Sequence, residues 1–373
     1  MSIKKILAAA AAAAIACTFA GCNNAGNSSA VSGNTSTTDS GASSDANTSS
    51  DASASTDEST TSTDGKVFKI GVSKMMDHPA LNKSEEGFVA ALKDKGYEEG
   101  KNVEFDFQNG QGETSNLNTI ATQFVGNKVD LIFAIATPAA QACLGQTQEI
   151  PIIGTAITDF AEAGLVESND KPGTNVSGTT DMNPIEEQID LLLELFPETK
   201  TIGFLYSSAE DNSKIQVDIA KAYAESKGVS TVEKTIINTN DIQQATTSIV
   251  TECDAIYIPT DNNFASAMTM VGEICNGAKI PVICGESGMV ESGGLGTLGI
   301  NYYDLGYQAG LMAVKVLEGA DISTMPIEKS TNYEYCFNAD AIAAVGLTLP
   351  DKYAEFVINT ASEDGAASES EAA

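Results

Sequence analysis

Nine short apolar runs recur between residues 67 and 300, most of them followed by a stretch of helical period, and no other feature limits the fold as much. The runs cover 67–72, 103–107, 130–135, 151–157, 201–206, 232–237, 255–259, 281–284 and 295–300. They are too continuously apolar to leave one face in water. That makes them strands of parallel sheets covered by helices on both faces. The intervening segments show 3.6-residue spacing, as in Phe88, Ala91 and Leu92 or in Ile185, Ile189, Leu192 and Phe196. For the second of these, Asn183 is the expected cap, with Pro184 at the first helical position and Glu186 and Glu187 in the first turn. The two blocks meet near 173–180, where Gly, Thr, Asn and Ser occur without periodicity. The pattern predicts an α/β protein of two doubly wound parallel-sheet lobes. A (β/α)8 barrel is the architectural alternative, but the break falls midway and has hinge-like residues.

The ends of the 373-residue chain differ from this middle. Lys4 and Lys5 precede an apolar run over 6–20, too short to span a bilayer comfortably and flanked as a secretory signal is. The run closes on Phe19, Ala20, Gly21 and Cys22, which resembles the bacterial lipobox. Residues 1–21 are therefore expected to be removed as a lipoprotein signal peptide, with Cys22 lipidated. The alternative is an ordinary signal peptide cleaved near Ala16. Residues 22–65 are expected to form a disordered Ser/Thr-rich tether, because 23–64 offers almost nothing that builds a core. As a flexible coil it would reach roughly 35 Å root-mean-square. Residues 354–373 form a similar acidic Ala/Ser tail, expected to be disordered. About 290 residues remain, enough for two domains.

Composition excludes several function classes. All 20 basic residues are lysine, there is no Arg and no Trp, and His78 is the only histidine. Between Gly65 and Tyr353 there are 40 acids against 18 lysines, a balance of −22. Such a surface repels phosphate backbones, so no nucleic-acid partner is expected. Bidentate Arg recognition and His-pair metal sites are excluded, and neither a metal nor a cofactor is expected. Gly294-x-Gly296-x-x-Gly299 matches a dinucleotide fingerprint only as text, since its surroundings look extended instead of turning from strand into helix. Cys143, Cys253, Cys275, Cys284 and Cys336 are scattered singly and are expected to be small buried hydrophobes.

Open parallel sheets bind ligands beyond the carboxyl ends of their strands. Those ends present Met75, Met76 and His78, then Thr137, and then Thr155, Ala156, Thr158 and Asp159. The second block adds Tyr206, Asp261, Asn262 and Glu286. No catalytic residue is assigned, because no nucleophile has a base and an orienting group beside it; binding without chemistry is expected, not an enzyme. Thr137, followed by Pro138, is predicted as an N-cap, leaving the N–H groups of Ala139 and Ala140 to receive a carboxylate at the positive end of a helix. Thr155 and Thr158 could add hydroxyls; alternatively, Thr137 simply caps its own helix. Asp261 and Glu286 stand where a ligand ammonium would find a carboxylate, or are solvated acids at strand ends. Together the two halves suit a zwitterion. His78 is expected at the cleft mouth or as a helix cap.

Several motifs occur in a telling order: Ile70-Gly71-Val72 with His78-Pro79-Ala80-Leu81, Ala134-Ile135-Ala136-Thr137-Pro138-Ala139-Ala140-Gln141, Thr155-Ala156-Ile157-Thr158-Asp159, Gly178-Thr179-Thr180-Asp181-Met182, and Ile258-Pro259-Thr260-Asp261-Asn262. Over residues 67–353 this series resembles the TrpX-like family of ABC-transporter substrate-binding lipoproteins. The resemblance implies a type I periplasmic-binding-protein fold, a Venus-flytrap of two lobes joined by a three-segment hinge. It places lobe 1 at 66–177 plus 303–325 and lobe 2 at 178–302 plus 326–353. It further implies capture of an amino acid, aromatic and such as tryptophan, and its delivery to an ABC permease driven by an ATPase. The protein would be a monomer outside the cytoplasm, lipid-anchored through Cys22 to the outer face of the cell membrane. On matching positions, Thr137, Thr155, Ala156 and Thr158 would receive the carboxylate, and Asp261 or Glu286 the ammonium. Met75, Met76, Tyr206 and Phe264 would pack the side chain, while His78, Ala139, Asp159 and Asn262 complete the expected ligand-binding set. Asn82 stands where the family often has Asp, and Lys74 where Gln is frequent. The alternatives are a type I protein for a sugar, nucleoside or peptide-like ligand, a sensing lipoprotein that feeds a receptor kinase, or a secreted α/β enzyme.

Overall fold

The structure, a computed structural model, describes residues 65–330 and 332–359. The expected signal peptide, Cys22 and the tether up to residue 64 lie outside these residues, as does the chain from 360 onward.

The first lobe is built by alternation. Strand β1 (Phe68–Lys74) leads to helix α1 (Pro79–Asp94), β2 (Val103–Asn109) to α2 (Thr114–Asn127), and β3 (Leu131–Ile135) to α3 (Thr137–Leu144). Strands β4 (Ile152–Ile157) and β5 (Val176–Thr180) follow. The chain then enters the second lobe through α4 (Ile185–Leu195), β6 (Thr201–Ser207), α5 (Asp211–Ser226), β7 (Ser230–Ile236), α6 (Ile242–Ile249) and β8 (Ala255–Ile258). Next come α7 (Asn262–Ser266), α8 (Met268–Ala278), β9 (Val282–Cys284), α9 (Ser287–Glu291) and β10 (Gly296–Ile300). Helix α10 (Tyr302–Leu317) and β11 (Glu328–Lys329) return to the first lobe, and β12 (Tyr333–Asn338), α11 (Ala339–Val345) and β13 (Val357–Ile358) complete the second.

The first sheet has the order β11-β5-β4-β3-β1-β2 and is parallel throughout. The second runs β13-β12-β10-β9-β8-β6-β7 and is parallel except where β12 pairs antiparallel with β10. In each sheet the winding reverses beside the first strand of the block, β1 in one and β6 in the other. Ligands bind at such switch points. Burial follows the expected pattern: β3 and β4 are buried at every residue, and Phe88 stacks on Phe133 with ring centroids 3.7 Å apart. Helices α1 and α10 pack together at glycines. A methyl group on Gly87 would overlap Tyr303 O, and one on Gly306 would overlap Ser84 O.

Three expectations change. The stretch 173–180 is not a structureless junction, because its second half is β5, hydrogen-bonded to β4. Its Gly, Ser and Thr residues suit a crowded position. Gly178 has φ +153°, and a side chain there would run into the backbone of Gly154. The first sheet therefore extends to Thr180, and through β11 to Lys329, so the chain crosses between the sheets after Thr180, after Ile300 and after Lys329. The tail also starts later than residue 354, since Val357 and Ile358 pair with β12. Asn183 does not cap α4: its amide donates to Asp181 O (3.0 Å) and accepts from Ile300 N (3.2 Å), tying the first crossover to the second.

Of the five core cysteines, Cys143, Cys275 and Cys284 are buried, whereas Cys253 and Cys336 are only half-buried; all five are free thiols. Among the described residues no helix is long and apolar enough to cross a membrane.

Candidate functional site

The carboxyl ends of the two sheets face each other, and the lobes touch across the gap. His78 Nε2 lies 3.1 Å from Asn262 Oδ1, and Gln216 Nε2 donates to Thr158 Oγ1 at 2.9 Å. Nearer the rim, Lys83 pairs with Glu291 at 2.7 Å and Gln141 donates to Asp211 at 3.0 Å. These contacts describe a closed cleft. Between the lobes remains a small cavity. Lobe 1 supplies His78, Leu81, Ala156, Asp181 and Tyr302 to its wall, and lobe 2 supplies Asn212, Thr260, Asp261, Asn262, Ala265, Glu286 and Met289.

Of the residues expected to bind, His78, Ala156, Asp261, Asn262 and Glu286 line this cavity and the others do not. Thr137 is the first residue of α3 and not its cap; that position belongs to Ala136, at φ +82°. The N–H groups of Ala139 and Ala140 are not free, because both donate to Ala136 O, at 3.1 and 3.2 Å. What α3 does offer is the Thr137 hydroxyl, which is buried with no hydrogen-bond partner. Thr155 bonds Thr179 within the sheet (2.8 Å). Asp159 is turned into its own loop, where it accepts from Ala161 N, Glu162 N and Asn169 Nδ2. Tyr206 points away from the gap and donates to Glu233 at 2.9 Å. Met75, Met76 and Phe264 belong to the lobe cores.

The two acids expected to hold an ammonium have structural work of their own. Asp261 caps α7 by accepting from Phe264 N (3.0 Å), and also receives Ser207 N (2.6 Å) and Ser213 Oγ (2.7 Å). Glu286 caps α9 through Gly288 N and Met289 N. Asp181, the first residue of the first crossover, was missed as a site residue. Its only side-chain partners are hydroxyls, Tyr302 at 2.7 Å and Thr158 at 3.3 Å. Glu210, Asn212, Gln216 and Tyr302 were missed as well. They stand at helix starts or inside helices, where their polar types look like ordinary solvated positions, yet all four are buried. Among the described residues no three His, Cys, Asp or Glu side chains are grouped to hold a metal ion.

The two positions that depart from the TrpX-like pattern touch each other. Lys74 Nζ donates to Asn82 Oδ1 at 2.9 Å while also pairing with Asp77 (2.8 Å) and Glu85 (3.1 Å). The lysine thereby pins the loop carrying His78 against the start of α1.

Burial dominates the electrostatics. Desolvation pushes Asp181 up to about 6 and Glu286 up to about 7, only partly offset by the groups that donate to them. A carboxyl whose folded pKa is raised binds its proton more tightly folded than unfolded. Its contribution to stability is therefore full below the unfolded pKa and is lost as pH rises through the folded value. For Asp181 that window runs from about 4 to about 6, and for Glu286 from about 4.5 to about 7. Glu210 and Asp261 are raised as well, while His78, lowered by burial, opposes them; the ligand-free protein is expected to be more stable at pH 5 than at pH 8. Urea unfolding at the two pH values checks this, and equal or higher stability at pH 8 would contradict it.

Comparison with known proteins fits this architecture. Residues 69–360 match the family model described as ABC transporter substrate binding protein. A tyrosine-binding protein of Clostridioides difficile is 45% identical over 286 residues, covering 76% of this chain and 83% of that protein. A Streptococcus pneumoniae ABC domain in complex with L-Trp is 38% identical, with TM-score 0.76, over 79% of this chain and all of that one. The ligand-free, open structure of a Clostridium difficile substrate-binding protein with adhesive properties is 45% identical over 79% of this chain and 99% of that one, with TM-score 0.62. Rotating one lobe against the other lowers an overall superposition whatever the identity. The poorer fit to the open structure thus agrees with lobes in contact here.

Proposed function

Because the chain belongs to the family of ABC transporter substrate-binding proteins, we propose that it captures an amino acid with an aromatic side chain, tyrosine or tryptophan, and closes its lobes around it. It is a binding protein and not an enzyme. One observation carries the choice of ligand. The closed cavity is walled by Asp181, Asp261 and Glu286, and no lysine lines it. A ligand that brings its own positive charge supplies what the protein withholds. The relatives that bind tyrosine and tryptophan support the same reading. The carboxylate would lie toward the start of α3, whose buried, unpaired Thr137 hydroxyl suits an anion in a chain without arginine. Ala156, held at φ +55° where β4 bulges, lets the backbone face the ligand there.

Family members of this kind work outside the cytoplasm. The lipid anchor at Cys22, the monomeric state and delivery to a permease driven by an ATPase complete the proposal, resting on the sequence of the N-terminal segment and on the family. Titration calorimetry against the twenty amino acids tests the assignment. Heat is expected with tyrosine or tryptophan and little with aspartate or lysine. At a hundredfold excess over Kd the ligand should stabilise the protein by about 2.7 kcal/mol. If no amino acid gives heat or stabilisation, the ligand class is wrong.

A further inference from the structure

Two buried polar atoms in the cavity wall have no hydrogen-bond partner, His78 Nδ1 and Asn212 Oδ1. They come from opposite lobes, and their residues are only 7% and 5% exposed. An unpaired polar atom in an interior is costly, so its polarity says what it awaits.

The neighbours set that polarity. Glu210, buried just before α5, receives the side-chain nitrogens of Asn262 (2.5 Å) and Asn263 (2.7 Å) and both of their backbone N–H groups (3.3 Å each). With its nitrogen turned toward Glu210, Asn262 shows its carbonyl oxygen to His78 Nε2. That oxygen can only accept, so Nε2 carries the proton. Burial, the largest influence, pushes His78 down to about 4 and keeps the ring neutral. Nδ1 is therefore a bare lone pair. Asn212 is oriented in the same way: its nitrogen donates to Thr260 O at 2.9 Å, which leaves Oδ1 toward the cavity. Both orphans are acceptors.

We propose that His78 Nδ1 and Asn212 Oδ1 are direct acceptors for the ligand ammonium, one from each lobe, and that Glu210 is a positioning residue that sets the His78 tautomer through Asn262. This rests on the amino-acid reading of the cleft. An ammonium has three donors, and these two neutral acceptors with an oxygen of Asp181 use all of them. The ammonium then bridges the lobes, so recognising an α-amino group and closing the cleft become one event. A deaminated analogue could meet the carboxylate and aromatic contacts but not this one.

Since His78 is the only histidine, histidine-specific 15N labelling of the full chain gives two ring signals that belong to it alone. The ligand-free protein should show the neutral Nε2–H form at pH 7, unchanged at pH 5. L-Tyrosine or L-tryptophan should shift the Nδ1 signal toward a hydrogen-bonded lone pair while Nε2 keeps its proton. Glu210→Gln, which lets Asn262 turn over, should add the Nδ1–H form. His78→Phe should weaken amino-acid binding roughly 10- to 100-fold while changing affinity for the deaminated acid less than threefold. A ligand-free protein in the Nδ1–H or doubly protonated form overturns the tautomer assignment, whether or not any ligand binds. An Nδ1 signal unmoved by an amino acid that does stabilise the protein overturns the ammonium contact. If no amino acid binds, the ammonium contact falls with the ligand class, and the ligand-free spectrum still decides the tautomer.

Discussion

Valine in place of Gly306 is expected to cost about 4 kcal/mol or more, enough to leave much of the protein unfolded at physiological temperature. Gly306 lies on α10 where that helix crosses α1, and even a methyl group there would occupy the space of Ser84 O. The reciprocal contact is as tight, with Gly87 of α1 against Tyr303 O and Tyr307 N. Overpacking against a side chain is usually relieved by a new rotamer, at about 1–3 kcal/mol. Here the obstacles are main-chain atoms of a regular helix, so relief requires moving a whole helix off the sheet. Gly277→Ala is the control. Gly277 lies in α8 with open space around it, and alanine there should be neutral or stabilise by up to about 1 kcal/mol. Urea midpoints of the two variants decide the matter. A Gly306→Val midpoint near that of the unaltered protein would show that the helices are free to separate.

The second large effect concerns the site. Asp181→Asn should weaken binding of the preferred amino acid about 100-fold or more, because removing one member of a buried charge pair costs about 2–5 kcal/mol. The substitution preserves size, can still meet the Tyr302 hydroxyl and removes a buried charge, so stability should not fall. Asp261→Asn and Glu286→Gln should behave in the opposite way, with stability falling because each loosens a helix start. Calorimetry beside thermal unfolding on the three variants separates the roles. An Asp181→Asn protein that binds as tightly as the parent would remove Asp181 from the ammonium site. A proportional loss for the deaminated analogue would point to a general disturbance of the cleft.

The sheet strands with long apolar runs were legible because hydrophobic burial writes itself locally. The strand β5 was not. Gly178 and its small neighbours are there because β4 lies too close for anything larger, a constraint set by residues more than twenty positions away. The site shows the same division. That a cleft would lie beyond the strand ends followed from topology, and His78, Asp261, Asn262 and Glu286 line the cavity found there. Their duties could not be read in the same way. Asp261 and Glu286 look like free acids in the sequence, and only the helices that start beside them reveal them as caps. Asp181 is conversely an unremarkable acid in a Gly/Thr stretch until α10 brings Tyr302 to it from the far end of the chain. Charge, unlike hydrophobic period, has no local signature that separates a solvated carboxylate from a buried one.

The three crossovers also order the protein in time. A chain emerging residue by residue has five of the six strands of the first sheet when it reaches Thr180, but α10, which packs on α1, begins only at Tyr302. The second sheet waits longer still, since β12 and β13 come last. Neither core can close while most of the polypeptide has already appeared, and both close almost together. A chain built this way completes both sheets only in its last sixty described residues, so losing the stretch from Tyr302 onward takes elements from both hydrophobic cores at a stroke.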